Sequence, residues 1–207
     1  MATRTRSGPY GFADFLELIH DDQKADLIDG AIYMASPESI DHNDLVLWMG
    51  KVLGLFIEER RLGRLTINKV AYRLSQKTAP EPDLAFVCTR RLGILKKGYV
   101  DGPPDLAVEF VSPDSVERDY QDKRRLYEAA GVVEYWIIDA DETKGTFLVR
   151  GPSGFVEAVL DETIFRSGVI PGFTMDTRWL WQRPLPATLP IVQAMLSRVA
   201  QEQERTE

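Results

Sequence analysis

Pro82-Asp83-Leu84-Ala85-Phe86-Val87 and Asp105-Leu106-Ala107-Val108-Glu109-Phe110-Val111 are two short apolar runs, rich in Val, Leu and Phe, each carrying a carboxylate. Proline introduces both, as Pro82 and as Pro103-Pro104, and proline belongs at a strand start rather than its middle. Ser112-Pro113 closes the second run, so strands are predicted at 83–87 and 105–111. Downstream, Asp119 to Ala130 places Leu126, Tyr127 and Ala130 on one helical face, with Gly131 where a left-handed stop is expected. Val132 to Asp139 follows as a strand apolar on both faces.

Working outward, Gly11 to His20 reads as a short amphipathic helix through Phe12, Phe15, Leu16 and Ile19. Asp29-Gly30 between two apolar runs predicts a hairpin over Leu27 to Met34. Asp41 to Arg61 carries a wide apolar stripe, Leu45, Trp48, Met49, Val52, Leu55 and Phe56, and is the most strongly marked helix. Arg64 to Leu74 reads as one or two strands, and Thr146 to Arg150 and Phe155 to Leu160 as two more around a Gly151-Pro152-Ser153-Gly154 turn. From Pro171 onward the chain is proline-punctuated and ends in a mostly polar helix after Pro190. No internal repeat or long linker divides it, so one domain over 1–207 is expected.

With 207 residues, 44% of them hydrophobic and 28% charged, the chain can bury a substantial core. No stretch reaches the roughly 18 apolar residues of a membrane span, and the N-terminus lacks the apolar run of a signal peptide, so a cytoplasmic location is expected. Cys88 stands alone and cannot form an internal disulfide. The net charge of −7 argues against indiscriminate coating of nucleic acid, because that affinity comes from Lys and Arg. An acidic balance is compatible with a site that gathers carboxylates around divalent cations. With two histidines, His20 and His42, and no paired cysteines, the usual zinc sites are disfavoured. No phosphate-cradling, dinucleotide-binding or nucleophile-elbow motif is present.

The two carboxylates remain. A glutamate between Val108 and Phe110 is costly to bury unless paired, hydrogen-bonded or bound to metal, and alternation equally allows it to face solvent. An antiparallel pairing closing near Val87 and Asp105 would set Asp83 opposite Glu109 to Phe110, although the intervening segment is long enough for other connections. Such a pair could share one hard divalent ion. Asp119, Lys123 and Tyr127 are spaced four apart and lie along one helical face. Lys123 is then either a snorkelling side chain or Asp119 partner, or an ammonium that orients water and stabilises charge growing on a phosphate.

These residues resemble the PD-(D/E)XK nuclease superfamily, with Glu81-Pro82-Asp83 as the Pro-Asp element and Glu109 as the second acid. More narrowly, the chain is similar to the Uma-two family of bacterial restriction-endonuclease-like proteins. The strings that carry the likeness are Ala25 to Gly30, Ser36-Pro37 with nearby His42, Pro82-Asp83-Leu84, Asp105 to Glu109, and Asp119 through Lys123 to Gly131-Val132-Val133-Glu134-Tyr135-Trp136. They span about residues 24 to 140, leaving a C-terminal extension from about 171. The resemblance implies an α/β (α+β) fold with a central mixed sheet flanked by helices. It also implies a Mg2+ or Mn2+ ion at Asp83 and Glu109, and catalytic roles for Asp83, Glu109, Lys123 and Asp26. Three positions depart from the pattern. Val111 stands where the superfamily lysine would be, which passes that role to Lys123. Asp26 is one methylene shorter than the usual glutamate, and Ala31 replaces an acid common after the glycine.

The implied activity is endonucleolytic hydrolysis of phosphodiesters in DNA, with a non-catalytic interaction domain of the same fold as the alternative. Arg118, Lys123, Arg124 and Arg125 are then the phosphate-contact candidates, whereas Arg90, Arg91, Lys96 and Lys97 fall at the far end of the strand pair. Cutting two strands favours a two-fold homodimer, for which Trp179-Leu180-Trp181 offers an apolar surface if core packing does not consume it.

Overall fold

In a computed structural model, which describes residues 5–19 and 23–205, each apolar run quoted above forms a strand. The elements in chain order are β1 (Thr5–Arg6), α1 (Phe12–Leu18), β2 (Ala25–Ile28), β3 (Ala31–Met34), α2 (Ile40–Glu59), β4 (Gly63–Ile67), β5 (Leu84–Cys88) and β6 (Leu106–Phe110). A π-helical turn, Arg118–Lys123, then runs into α3 (Arg124–Ala130). β7 (Glu134–Asp139), β8 (Lys144–Gly151), β9 (Gly154–Glu157), β10 (Ile164–Arg166), β11 (Thr174–Asp176) and α4 (Thr188–Glu204) complete the order. His20 lies outside the described residues. No described helix is long and apolar enough to cross a membrane.

The central sheet runs β4-β5-β6-β7-β8-β9, with β6 and β7 parallel and every other neighbour antiparallel. The register Leu84↔Val108 sets the position of Asp83 against that of Glu109. Because strand side chains alternate, this pairing puts both acids on one face of the sheet. The opposite face carries Leu84, Phe86, Val108, Phe110, Trp136 and Ile138, which pack under α2 with Met49, Val52 and Phe56. The acid-bearing face packs Ala107, Tyr135 and Ile137 against Tyr127 of α3.

Local chemistry explains the element ends. Ser39 caps α2, its hydroxyl accepting the His42 N–H at 3.1 Å. The Asp29-Gly30 turn has both residues left-handed, at φ 49° and 85°, the backbone of a two-residue hairpin. Gly131 ends α3 at φ 92°. Only β4 forms in the 64–74 stretch, because Asn68 and Lys69 turn left-handed at φ 44° and 45° and end the strand. Leu55, assigned to the apolar stripe of α2, is instead 37% exposed.

Beyond residue 160 the chain returns to the main core. β10 and β11 pair antiparallel, and Phe165, Phe173, Met175, Leu180, Val192 and Val199 join the cluster beneath α2. Trp179 and Trp181 pack partly buried against it, with Leu180 fully buried between them, so these aromatics serve core packing. The Trp48 indole donates to the Pro186 carbonyl at 2.7 Å, tying α2 to the segment before α4.

Candidate active site

The acid-bearing face meets three other elements: β2, the start of α2, and the π-helical turn. Asp83 lies just before β5, buried, and its Oδ2 accepts the Phe110 backbone N–H at 2.7 Å across the strand pair. Its Oδ1 accepts from the Lys24 ammonium, which arrives from just before β2. Glu109, 1% exposed, is held at both oxygens: Lys123 Nζ lies 2.9 Å from Oε2 and the Tyr127 hydroxyl donates to Oε1 at 2.8 Å. The helical spacing that aligned Asp119, Lys123 and Tyr127 therefore brings all three to the sheet, with Asp119 Oδ1 at 3.5 Å from Lys123 Nζ. Asp119 is braced by the Ser115 hydroxyl at its side chain and by the Tyr135 hydroxyl at its carbonyl.

Asp26 reaches the same ammonium, with Oδ2 3.1 Å from Lys123 Nζ and 3.3 Å from Arg118 Nε. Its Oδ1 accepts the Glu81 N–H at 2.9 Å, and the Glu81 carboxylate accepts the Ala25 N–H at 3.0 Å. This reciprocal pair staples β2 to the Pro82-Asp83 segment. Asp26 therefore forms ion pairs with both Lys123 and Arg118.

Burial pushes every acid here upward, and the neighbouring charges decide the outcome. Lys24 and Lys123 outweigh burial at Asp83 and hold it below its ordinary value. Lys123 and Arg118 do the same for Asp26. At Glu109 burial prevails over the Lys123 ammonium, Asp83 and Asp119 add repulsion, and the carboxyl is raised. Lys123 faces three carboxylates, those of Asp26, Glu109 and Asp119. Burial opposes the Lys123 charge itself, but those carboxylates outweigh it and raise its proton affinity, so at neutral pH it is an ammonium. An ammonium at this position can act by electrostatic stabilisation.

These groups line one small cleft, which Glu38 and His42, just before and within the first turn of α2, also line. Five acidic side chains (Asp26, Glu38, Asp83, Glu109, Asp119) and three basic ones (Lys24, Arg118, Lys123) line it. Among the described residues, Glu38, His42 and Asp83 bring one potential ligand atom each within 4.8 Å of one another. His42 Nε2 is buried and has no hydrogen-bond partner among the described residues. An orphaned imidazole nitrogen facing carboxylate oxygens is a donor set that fits a divalent cation.

The family model described as "Uma2: Putative restriction endonuclease" matches residues 12–177. The chain belongs to this family. The fold is also that of a crystal structure from Anabaena variabilis ATCC 29413 described as "a putative nuclease belonging to DUF820". The two are 19% identical at a TM-score of 0.67, over 84% of this chain and 98% of that one, so the likeness is one of fold. No curated protein matches the chain.

In this Uma2 chain the structure brings Asp26, Asp83, Glu109 and Lys123 to one cleft, with Arg118 beside them. Arg125 instead pairs with Asp29 at the surface, and Arg91 pairs with Asp105 at the other end of the β5–β6 pair. Sequence reasoning passed over Lys24 and Glu38. Lys24 directly precedes the Ala25 to Gly30 string, and Glu38 stands four residues before His42, a spacing that shares a helical face.

Proposed function

We propose that this Uma2 protein is a divalent-metal-dependent endonuclease of the PD-(D/E)XK type that hydrolyses phosphodiester bonds in DNA. The observation that carries the reading is the juxtaposition of Asp83 and Glu109 on one sheet face with the Lys123 ammonium 2.9 Å from Glu109. Asp83 and Glu109 would hold Mg2+ or Mn2+, which when bound supplies Lewis-acid polarisation of a phosphate oxygen and a more acidic water.

The chain's own residues do the rest. The Phe110 N–H fixes the Asp83 carboxylate, and the Tyr127 hydroxyl fixes that of Glu109. Lys123, kept protonated and aimed by Asp26 and Asp119, stabilises negative charge as the water oxygen bonds phosphorus and the bond to the leaving sugar oxygen breaks. The attacking water releases its proton to bulk water, and the departing sugar oxygen takes one up from it. Arg118, at the cleft wall, is placed to contact a neighbouring phosphate. Two such sites related by a two-fold axis would cut both strands of a duplex.

Supercoiled plasmid incubated with Mn2+ and the wild-type, Asp83→Ala or Lys123→Ala protein tests this directly. Wild-type nicking that is lost in both variants and in chelator supports the roles. Nicking that survives both substitutions rejects them, and a folded wild-type protein with neither nicking nor a metal-dependent thermal shift is an interaction domain.

A further inference from the structure

Glu38, His42 and Asp83 belong to different parts of the chain and have no need to meet for folding. Asp83 is positioned by the sheet, whereas Glu38 and His42 flank the Ser39 cap of α2. Phe110 links the two: its N–H holds Asp83 Oδ2, and its ring packs edge-on against the His42 ring at 6.0 Å between centroids. The imidazole is thereby aimed at the carboxylates. Its Nε2 lies 3.7 Å from Glu38 Oε2, too far for a hydrogen bond, and is buried with no other partner among the described residues. A buried ring nitrogen left unsatisfied is a standing cost, and a ligand in the gap removes it. The gap itself has the span of a coordination sphere, with three potential donor atoms within 4.8 Å of one another. Lys24 already pairs with Asp83 Oδ1 in the metal-free state, so a cation ligated by Asp83 displaces that ammonium or shares the carboxylate with it.

We propose that Glu38, His42 and Asp83 form a mixed nitrogen–oxygen cation subsite that selects a first-row transition ion such as Mn2+ over Mg2+. Mg2+ prefers oxygen donors and retains its waters, whereas an imidazole ligand suits transition ions. The inference shares Asp83 with the nuclease reading but concerns binding, so it stands or falls on ligation rather than on cleavage.

The test uses the full-length protein, titrated calorimetrically with MnCl2 and with MgCl2, alongside spin-echo spectroscopy of the bound Mn2+. Wild type should bind Mn2+ at least about ten-fold more tightly than Mg2+, with the modulation of a directly ligated nitrogen in its echo decay. His42→Gln should erase that modulation and weaken Mn2+ by at least about ten-fold while changing Mg2+ by no more than about three-fold. Glu38→Gln should weaken Mn2+ and retain the nitrogen signal. A wild-type protein lacking nitrogen modulation overturns the proposal without recourse to any variant, which covers a His42→Gln protein that fails to fold. Mn2+ binding that is lost in Glu109→Gln and unchanged in His42→Gln overturns it too, and leaves the nuclease reading intact. Nitrogen-ligated Mn2+ in a wild-type protein that nicks no DNA supports the subsite and rejects the nuclease reading.

Discussion

Glu109 and Glu134 are both buried to 1% exposure, on adjacent parallel strands, yet they differ in how the fold compensates them. Glu134, at the start of β7, lies on the face beneath α2 and accepts from the Gly168 and Val169 backbone N–H groups, the Ser167 hydroxyl and the Trp136 indole. Burial raises its proton affinity, and these four neutral donors, three of them in the 167–169 turn and one on β7 itself, pull it back. Glu109, near the end of β6, lies on the other face and depends on one hydroxyl and one ammonium that two aspartates share. Fixed neutral donors make a carboxylate part of the scaffold. A shared ammonium beside an open cleft makes it exchangeable, because an incoming cation or phosphate can rearrange the charges. Burial of an acid alone therefore does not mark a site, whereas the kind of partner does.

The sharpest way to break this contrast is Lys123→Met, which keeps the volume and removes the charge. Plasmid nicking in Mn2+ should fall about 100- to 1,000-fold, as for other lost transition-state donors, while the circular dichroism spectrum stays that of wild type. Glu134→Ala should show the opposite profile. Four donors lose their acceptor, so urea unfolding should reveal a loss of about 2–4 kcal/mol, with nicking by the remaining folded protein within a few-fold of wild type. If Glu134→Ala abolishes nicking at full stability, the division between scaffold and site acid is wrong.

Glu81 is an intermediate case, with a single fixed donor, and burial pushes its carboxyl up to about 7 from an ordinary 4.5. A folded-state value above the unfolded one means that its contribution is complete below about 4.5 and is lost as pH rises through about 7. In metal-free protein, Glu81→Gln should therefore gain stability relative to wild type over that interval, by on the order of 1–3 kcal/mol. Parallel pH profiles for the two proteins would contradict this. The smallest effect is expected from the basic residues. Arg118→Ala should weaken duplex binding modestly and lower the salt slope by about one, whereas Arg90→Ala, at the far end of the strand pair, should leave both unchanged.

The same contrast explains what the sequence made legible. Asp83 and Glu109 could be placed opposite each other because period-two alternation, with proline at the strand starts, determines which side chains share a face. Lys123 could be aligned with Tyr127 by helical spacing alone. Glu134, however, carries the same local signal as Glu109, an acid flanked by Val133 and Tyr135 in a buried strand, and only the distant 167–169 turn separates their roles. Lys24 meets Asp83 across 59 positions, and Glu38 reaches the cleft through the docking of α2, so local pattern does not reveal them. β10 and β11, three residues each, are too short for alternation to register.

The π-helical turn sets Lys123 on the crossover between two parallel strands rather than on the strand that carries Glu109. Acid spacing and ammonium placement are thus governed by separate variables, hydrogen-bond ladder for one and helix docking for the other. Deleting one residue of that wide turn, so that it relaxes into ordinary α-helix, would swing its entry by about 100° relative to α3. Asp119 would leave the cleft while the acids on the strands kept their alignment, and catalytic geometry could drift in evolution without unzipping the sheet.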